Sequence, residues 1–158
     1  MTATGHALIG AAIATLIPNP TLSMPLAILS HFVGDKLPHW DVMTDKNKSK
    51  RQILIQSAID VLVGFALVWA IFIFAWHSAN PVLILLSAFV AQLPDWLELP
   101  YFIFGKQIPI FDLNYKAQKW IHDVWFNSRL KAPWGIITQV VVVLFFIWLS
   151  LHTLPSPY

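Results

Sequence analysis

Leu29-Ser30-His31-Phe32-Val33-Gly34-Asp35-Lys36-Leu37-Pro38-His39-Trp40-Asp41 returns 56 to 57 positions later as Leu86-Ser87-Ala88-Phe89-Val90-Ala91-Gln92-Leu93-Pro94-Asp95-Trp96-Leu97-Glu98. One residue is lost between the two copies. A second match lies upstream, where His6-Ala7-Leu8-Ile9-Gly10 is answered by Asp60-Val61-Leu62-Val63-Gly64. The first hundred residues therefore read as two copies of one helical hairpin. In each, an ionisable residue stands four before a glycine, an apolar run follows, and Leu-Pro-[His/Asp]-Trp closes the unit. Polar positions kept within greasy surroundings in both copies point to a site shared between them.

Outward from these phrases the chain is that of a polytopic membrane protein. Of its 158 residues 57% are hydrophobic and 11% charged, whereas a soluble domain averages about 25% charged. A span of the hydrocarbon core takes about 20 apolar residues, and Ile53 to Trp76, Pro81 to Phe104 and Trp134 to Leu154 supply such runs. Leu22 to Leu37 is shorter. Thr4 to Ile17 is too short to cross unaided and needs burial against neighbours or a thinned bilayer. No basic stretch precedes the first apolar run, which argues against a cleaved signal peptide. The absence of cysteine excludes disulfides, thiolate metal sites and thiol catalysis.

Helix punctuation gives five membrane helices at about 4–17, 23–38, 53–77, 81–97 and 133–153. Pro18-Asn19-Pro20 closes the first, Ser23 and Pro25 open the second, Asn80-Pro81 opens the fourth and Pro133 the fifth. The predicted fold is an all-α membrane domain occupying the whole chain. It comprises repeat 1 (about 4–41), repeat 2 (about 53–98), an amphipathic segment (about 112–127) and a last span (about 133–154). In the amphipathic segment Leu113, Ala117, Trp120, Ile121, Val124 and Trp125 recur at helical spacing, which suits a helix lying on the inner leaflet or capping the bundle.

All ten Lys and Arg residues fall at the end of the second helix, in the 42–52 loop or in the 98–132 segment. With five spans these share one side with the N-terminus, and the positive-inside rule makes that side cytoplasmic. A basic pI is thereby explained without a nucleic-acid partner. The expected location is a bacterial inner membrane, multi-pass, with the N-terminus inside and the C-terminus outside. The eight acidic residues and His6, His31, His39 and His122 map to the same inner half. Orientation rules do not account for that, because acids contribute little to them.

Asp60 lies two turns into a long apolar helix, where a carboxylate must face the bundle interior and find a partner. Gln56, Asp60 and Gly64 form one stripe, which places the small residue where helices approach closely. The alternative is a protonated Asp60 hydrogen-bonded to a neighbouring helix. His6 holds the matching place in the first copy. His31 and Asp35 are one turn apart, with His39 and Asp41 just beyond and Asp95 as the second-copy counterpart. Neutral imidazoles and carboxylates suit zinc or manganese. The plainer reading is a polar helix end capping and snorkelling at the interface. His122, one turn after Gln118, is placed either as a surface residue or as a general acid/base at the bundle mouth. His77 and His152 are assigned to the outer interface. No P-loop, GxGxxG, GxSxG or HExxH motif is present.

Thr4-Gly5-His6-Ala7-Leu8-Ile9-Gly10, Ser30-His31-Phe32-Val33-Gly34-Asp35, Pro38-His39-Trp40-Asp41 and Leu93-Pro94-Asp95-Trp96 together resemble the bacterial inner-membrane family of membrane-bound metal-dependent hydrolases. The resemblance covers roughly the first hundred residues. It departs where the first helix ends in Pro-His-x-Asp rather than Pro-Asp-x-Asp, and where 42–76 lacks histidine. It implies a membrane fold with a polar inner-face site and metal-assisted hydrolysis. The expected site is then a divalent-metal cluster of His6, His31, Asp35, His39, Asp41, Asp60 and Asp95, with Asp35, Asp95 and His122 as catalytic candidates. The partners are the bilayer and a lipid or lipid-linked ester. The competing expectation is a non-catalytic scaffold or a small ion- or proton-handling module using Asp60 and His6. A carrier would need polar residues continuing to the far side, and the outer half of every helix is nearly free of them.

Overall fold

The computed structural model describes residues 1–41, 47–77, 79–104, 108–123 and 130–153, with the side chains of 102–104 and 121–123 excepted. Among the described residues every regular element is a helix: α1 (Ala3–Leu16), α2 (Pro20–Lys36), α3 (Lys50–Phe74), α4 (Pro81–Val90), α5 (Leu93–Phe104), α6 (Pro109–Asp123) and α7 (Trp134–Thr153). The all-α class agrees with the sequence reading, and the helix count does not. Five spans and one amphipathic helix were expected; seven helices are found because the segment expected as the fourth span is divided at Pro94, and α1 and α2 are not long and apolar enough to count as spans.

The break follows from Pro94. Proline has no N–H to offer and its ring clashes with the carbonyl four residues back, which is that of Val90, the last residue of α4. The Asp95 N–H turns to the Gln92 carbonyl at 3.0 Å instead of reaching Ala91. The two halves meet at 42°. A second correction concerns α2, which opens three residues earlier than Ser23. Asn19 is its cap, accepting the Thr21 N–H at 3.0 Å, with Pro20 in the first turn; Pro25 lies inside the helix. Ser49 caps α3 in a reciprocal box with Gln52. The amphipathic helix α6 starts at Pro109. Residues 124–127 of that expected segment, 42–46 of the basic loop and Leu154 of the last span lie outside the described residues.

Two helices, α3 and α7, are long and apolar enough to cross a membrane, and the bent pair α4–α5 has the length and composition of a third if its halves form one span rather than a re-entrant loop. Their exposure pattern is that of lipid-facing surface. On α3, Leu62, Trp69, Ile73 and Phe74 are exposed, and on α7, Val141, Leu144, Phe145 and Trp148 are. The short α1 is the opposite case. Every residue from Gly5 to Thr15 is buried, and α2, α3, α4 and α7 all pack against it. Burial by neighbours is how a 14-residue helix becomes the core of the bundle.

Glycines set the closest approaches. A Cβ on Gly10 would stand 2.6 Å from both the Ala91 Cβ and the Ser87 carbonyl oxygen, so α1 and α4 touch backbone to backbone there. One on Gly64 would meet the Thr4 Cα at 2.9 Å, so the small residue of the Asp60 stripe seats α3 on α1. These contacts fix direction. The helices α1, α3 and α7 begin at one end of the bundle, and α2 and α4 finish there. At the opposite end the buried Trp76 indole N–H donates to the Ser150 Oγ at 3.0 Å and ties the end of α3 to α7.

The two sequence copies share these directions but diverge at their matched prolines. Pro38 follows the end of α2, whereas Pro94 stands in the first turn of a new helix.

Candidate metal centre

At the end where α1 begins, four ionisable side chains from three helices meet: His6 (α1), His31 and Asp35 (α2), and Asp95 (α5). The Asp35 carboxylate bridges the two imidazoles, with Oδ1 at 3.1 Å from His6 Nε2 and Oδ2 at 3.2 Å from His31 Nε2. The rings stack with centroids 4.0 Å apart. Asp95 Oδ1 approaches His31 Nε2 at 3.5 Å, and its side chain is 43% exposed while His31 is wholly buried. The cluster therefore has a closed interior and one open edge. His6, His31 and Asp95 each present a ligand atom within 4.8 Å of the others.

The helix break builds this geometry. With Asp95 N–H bonded to Gln92, the Ala91 carbonyl is released, and His31 Nδ1–H donates to it at 2.9 Å. A carbonyl only accepts, so Nδ1 carries a proton, and the ring turns Nε2 into the site. Around that nitrogen stand three oxygens: Asp35 Oδ2, Asp95 Oδ1, and Gln118 Oε1 at 3.3 Å. Oxygens do not pack against a bare lone pair. They are compatible with a second ring proton, or with a cation that ring and oxygens ligate together. Tetrahedral ligands at zinc-type bond lengths are spaced about 3.3–3.5 Å from one another, and the contacts here span 3.1–3.5 Å. His6 adds a further signal: its Nδ1 is buried without a hydrogen-bond partner, over Gly34, where a Cβ would come 3.7 Å from it.

A second polar pair adjoins the first. His39 Nδ1–H donates to the Leu37 carbonyl at 2.8 Å, which leaves Nε2 to accept from the Met1 amino group at 2.7 Å. Asp41 Oδ2 lies 3.4 Å from the same nitrogen. The Met1 amino group is also ion-paired with Asp35. His39 and Asp41 thus flank the cluster through Asp35 and Met1.

Asp60 is not brought to this ring. Its Oδ2 accepts the Ala3 N–H at 2.7 Å, and its Oδ1 accepts the Thr4 N–H at 3.2 Å and the Thr4 hydroxyl at 2.6 Å. It caps the first turn of α1 from a neighbouring helix, where a carboxylate also meets the positive end of the dipole. The expected common site of Asp60 and His6 is corrected accordingly: the matched positions serve one helix, one as its cap and the other as its inward ligand. His122 lies on α6, and its side chain is outside the described residues.

Three glutamines escaped the sequence reading. Gln118 sits over His31. Gln139 on α7 accepts the N–H and hydroxyl of Thr2, both at 3.2 Å, and donates to the Trp40 carbonyl at 3.1 Å, pinning both segments that enclose the site. Gln92, at the break, donates to the Ala88 carbonyl at 3.1 Å. The available signal was the phase of α6: Gln118 falls one turn after Asn114 and off the Leu113–Trp120 stripe.

Comparison with known proteins finds no matching family model, no matching characterised protein and no matching solved structure. The centre is read from its own geometry.

The setting of α6 completes it. Asn114 Nδ2 donates to the Pro94 carbonyl at 3.1 Å, beside Asp95, and Tyr115 stacks on Tyr101 of α5 at 4.0 Å. The polar side of α6 thus closes on the bundle, while Ile110, Leu113 and Trp120 point outward and are exposed. Between them Lys116 pairs with Asp112 at 2.6 Å, and this hydrogen bond holds its ammonium above the usual lysine range.

Proposed function

We propose that the chain is an integral membrane protein that binds a divalent cation, zinc or manganese, through His6, His31, Asp35 and Asp95. The observation that carries this is the His31 Nε2, turned into the site by the Ala91 carbonyl and ringed by oxygens from three different helices. The half-exposed Asp95 supports a reactive centre over a sealed structural one, because metal-assisted hydrolysis needs an open position for water. A bound cation would supply a water of lowered pKa there, with Asp95 or Asp35 as its proton acceptor. The site lies at the end where the charged loops gather, and the outward apolar stripe of α6 is suited to headgroup depth. A lipid or lipid-linked ester is the substrate class this placement favours, in keeping with the resemblance to membrane-bound metal-dependent hydrolases. Positive-inside sorting favours an inner membrane with this end cytoplasmic.

A second reading is favoured by one specific observation. Asp35 already receives the Met1 amino group and faces both imidazoles, so the cluster can satisfy itself as a non-catalytic scaffold.

Metal analysis of protein purified in mild detergent decides between them. Stoichiometric zinc or manganese, lost in His31→Ala and in Asp95→Asn, is the expected result. Protein that stays metal-free after incubation with either ion selects the scaffold.

A further inference from the structure

We propose that Gln118 is itself a ligand of the cation, and that the cation thereby fastens α6 across the mouth of the site. This rests on the metal reading given above. Gln118 is 3% exposed although it belongs to a surface helix. Its Oε1 is 3.3 Å from His31 Nε2, within the same spacing as the two carboxylates, while its Nε2 is buried and has no partner. Against a neutral ring, a glutamine held only by a hydrogen bond would present its N–H to Nε2, and the oxygen stands there instead. With Nδ1–H committed to Ala91, an amide oxygen against Nε2 is repulsive unless a cation or a second ring proton stands between them. Burial without compensation for the amide N–H group is the sort of irregularity that clusters at functional sites.

The consequence for selectivity follows from donor type. Carbonyl and carboxylate oxygens suit manganese, and an all-imidazole and thiolate set would suit zinc. With Gln118, Asp35 and Asp95 outnumbering the two imidazoles, the centre favours manganese. There is also a mechanical consequence. Among the described residues α6 is attached to the bundle at the site itself, through Gln118 on His31, Asn114 on the Pro94 carbonyl and Tyr115 on Tyr101. Its outward face is apolar. A ligand carried on such a helix couples occupation of the centre to the seating of a surface element at the edge where Asp95 is open.

The test uses the full chain in detergent, with Mn²⁺ alone as the probe, titrated by calorimetry, and hydrogen exchange of the α6 amides read with and without the ion. Gln118→Met keeps the length and the apolar stem of the side chain but removes the oxygen, and Gln118→Glu keeps an oxygen in its place. The expected result is Mn²⁺ affinity reduced at least about tenfold in Gln118→Met, retained in Gln118→Glu, and α6 exchange slowed by Mn²⁺ in the native chain but not in Gln118→Met. A smaller loss in Gln118→Met, or α6 exchange indifferent to Mn²⁺ in a native chain that binds it, overturns the inference and leaves the metal centre standing. A native chain that binds no Mn²⁺ overturns both. Should Gln118→Met not fold, retained tight binding by Gln118→Asn, whose shorter side chain withdraws the oxygen, overturns the inference as well.

Discussion

His31 is aimed by Ala91: the ring Nδ1–H meets the Ala91 carbonyl at 2.9 Å, across the interface of α2 and α4. That carbonyl is available because Pro94, three residues on, ends one helix and starts another. A backbone irregularity in one segment thus sets the tautomer of an imidazole 60 positions away in sequence. Orientation of this kind, in which the far ring nitrogen is held by a backbone carbonyl, is characteristic of metal-ligating histidines.

Asp60 is expected to matter for stability and not for metal. Its carboxylate takes two backbone N–H groups and a hydroxyl at the start of α1. Asp60→Ala leaves those donors unpaired in a half-buried place and should destabilise by about 2 kcal/mol. Asp60→Asn keeps one acceptor and should lose about half of that. Thermal unfolding in detergent measures both, and metal content should match the native protein in Asp60→Asn. A metal-free Asp60→Asn that melts like the native chain would show that Asp60 belongs to the centre after all.

Gly10 is where α1 and α4 meet most closely, and the Cβ of an alanine would land 2.6 Å from the Ser87 carbonyl oxygen and the Ala91 Cβ. Gly10→Ala should therefore destabilise by about 1–3 kcal/mol through overpacking. It should also push Ala91 away from His31. The double readout is a lower melting temperature together with weaker metal binding. Ala14→Gly, one turn on, is the control that should lower stability alone.

Topology can be read without background labelling, since the chain has no cysteine of its own. Ser49 caps the start of α3 and Asn80 caps α4 beyond its far end. Single cysteines at the two positions should differ on intact cells, with Asn80→Cys modified by an impermeant thiol reagent and Ser49→Cys protected. Equal labelling of both is the outcome that the spanning assignment of α3 does not survive.

Much of this architecture was legible in the sequence, for reasons that lie in single residues. Asn80-Pro81 marks the start of α4, and Pro133 marks the start of α7, because cap and first-turn chemistry is local. The apolar runs of α3 and α7 declare themselves by length alone. The inward stripe of Asp60 and Gly64 was readable as a close approach, but its destination was not. That a carboxylate would cap a helix 57 positions away depends on the parallel packing of α1 and α3, which no local pattern encodes. The same holds for His6 and His31, whose stacking is set by packing of α1 against α2. Gln118 was hidden because α6 turns its apolar stripe to the outside, the reverse of the rule for a helix in water. In a bilayer the exposed side is the greasy one, so the polar face becomes the one that docks.

Pro94 offers the sharpest test of how the break makes the site. Pro94→Ala restores an N–H and removes the ring that clashes with Val90. The α4–α5 pair can then close into one continuous helix, in which the Asp95 N–H returns to the Ala91 carbonyl. His31 loses its orienting partner, and Asp95 rotates away from it with the straightened helix. Helix content by circular dichroism should stay equal or rise, since alanine can continue a helix that proline interrupts. Metal affinity should drop by about 10–100-fold, the usual effect of losing a partner that orients a ligand. A Pro94→Ala protein with native metal affinity would mean that the Ala91 carbonyl does not aim His31, and the argument for the centre from the orientation of that ring would fall with it.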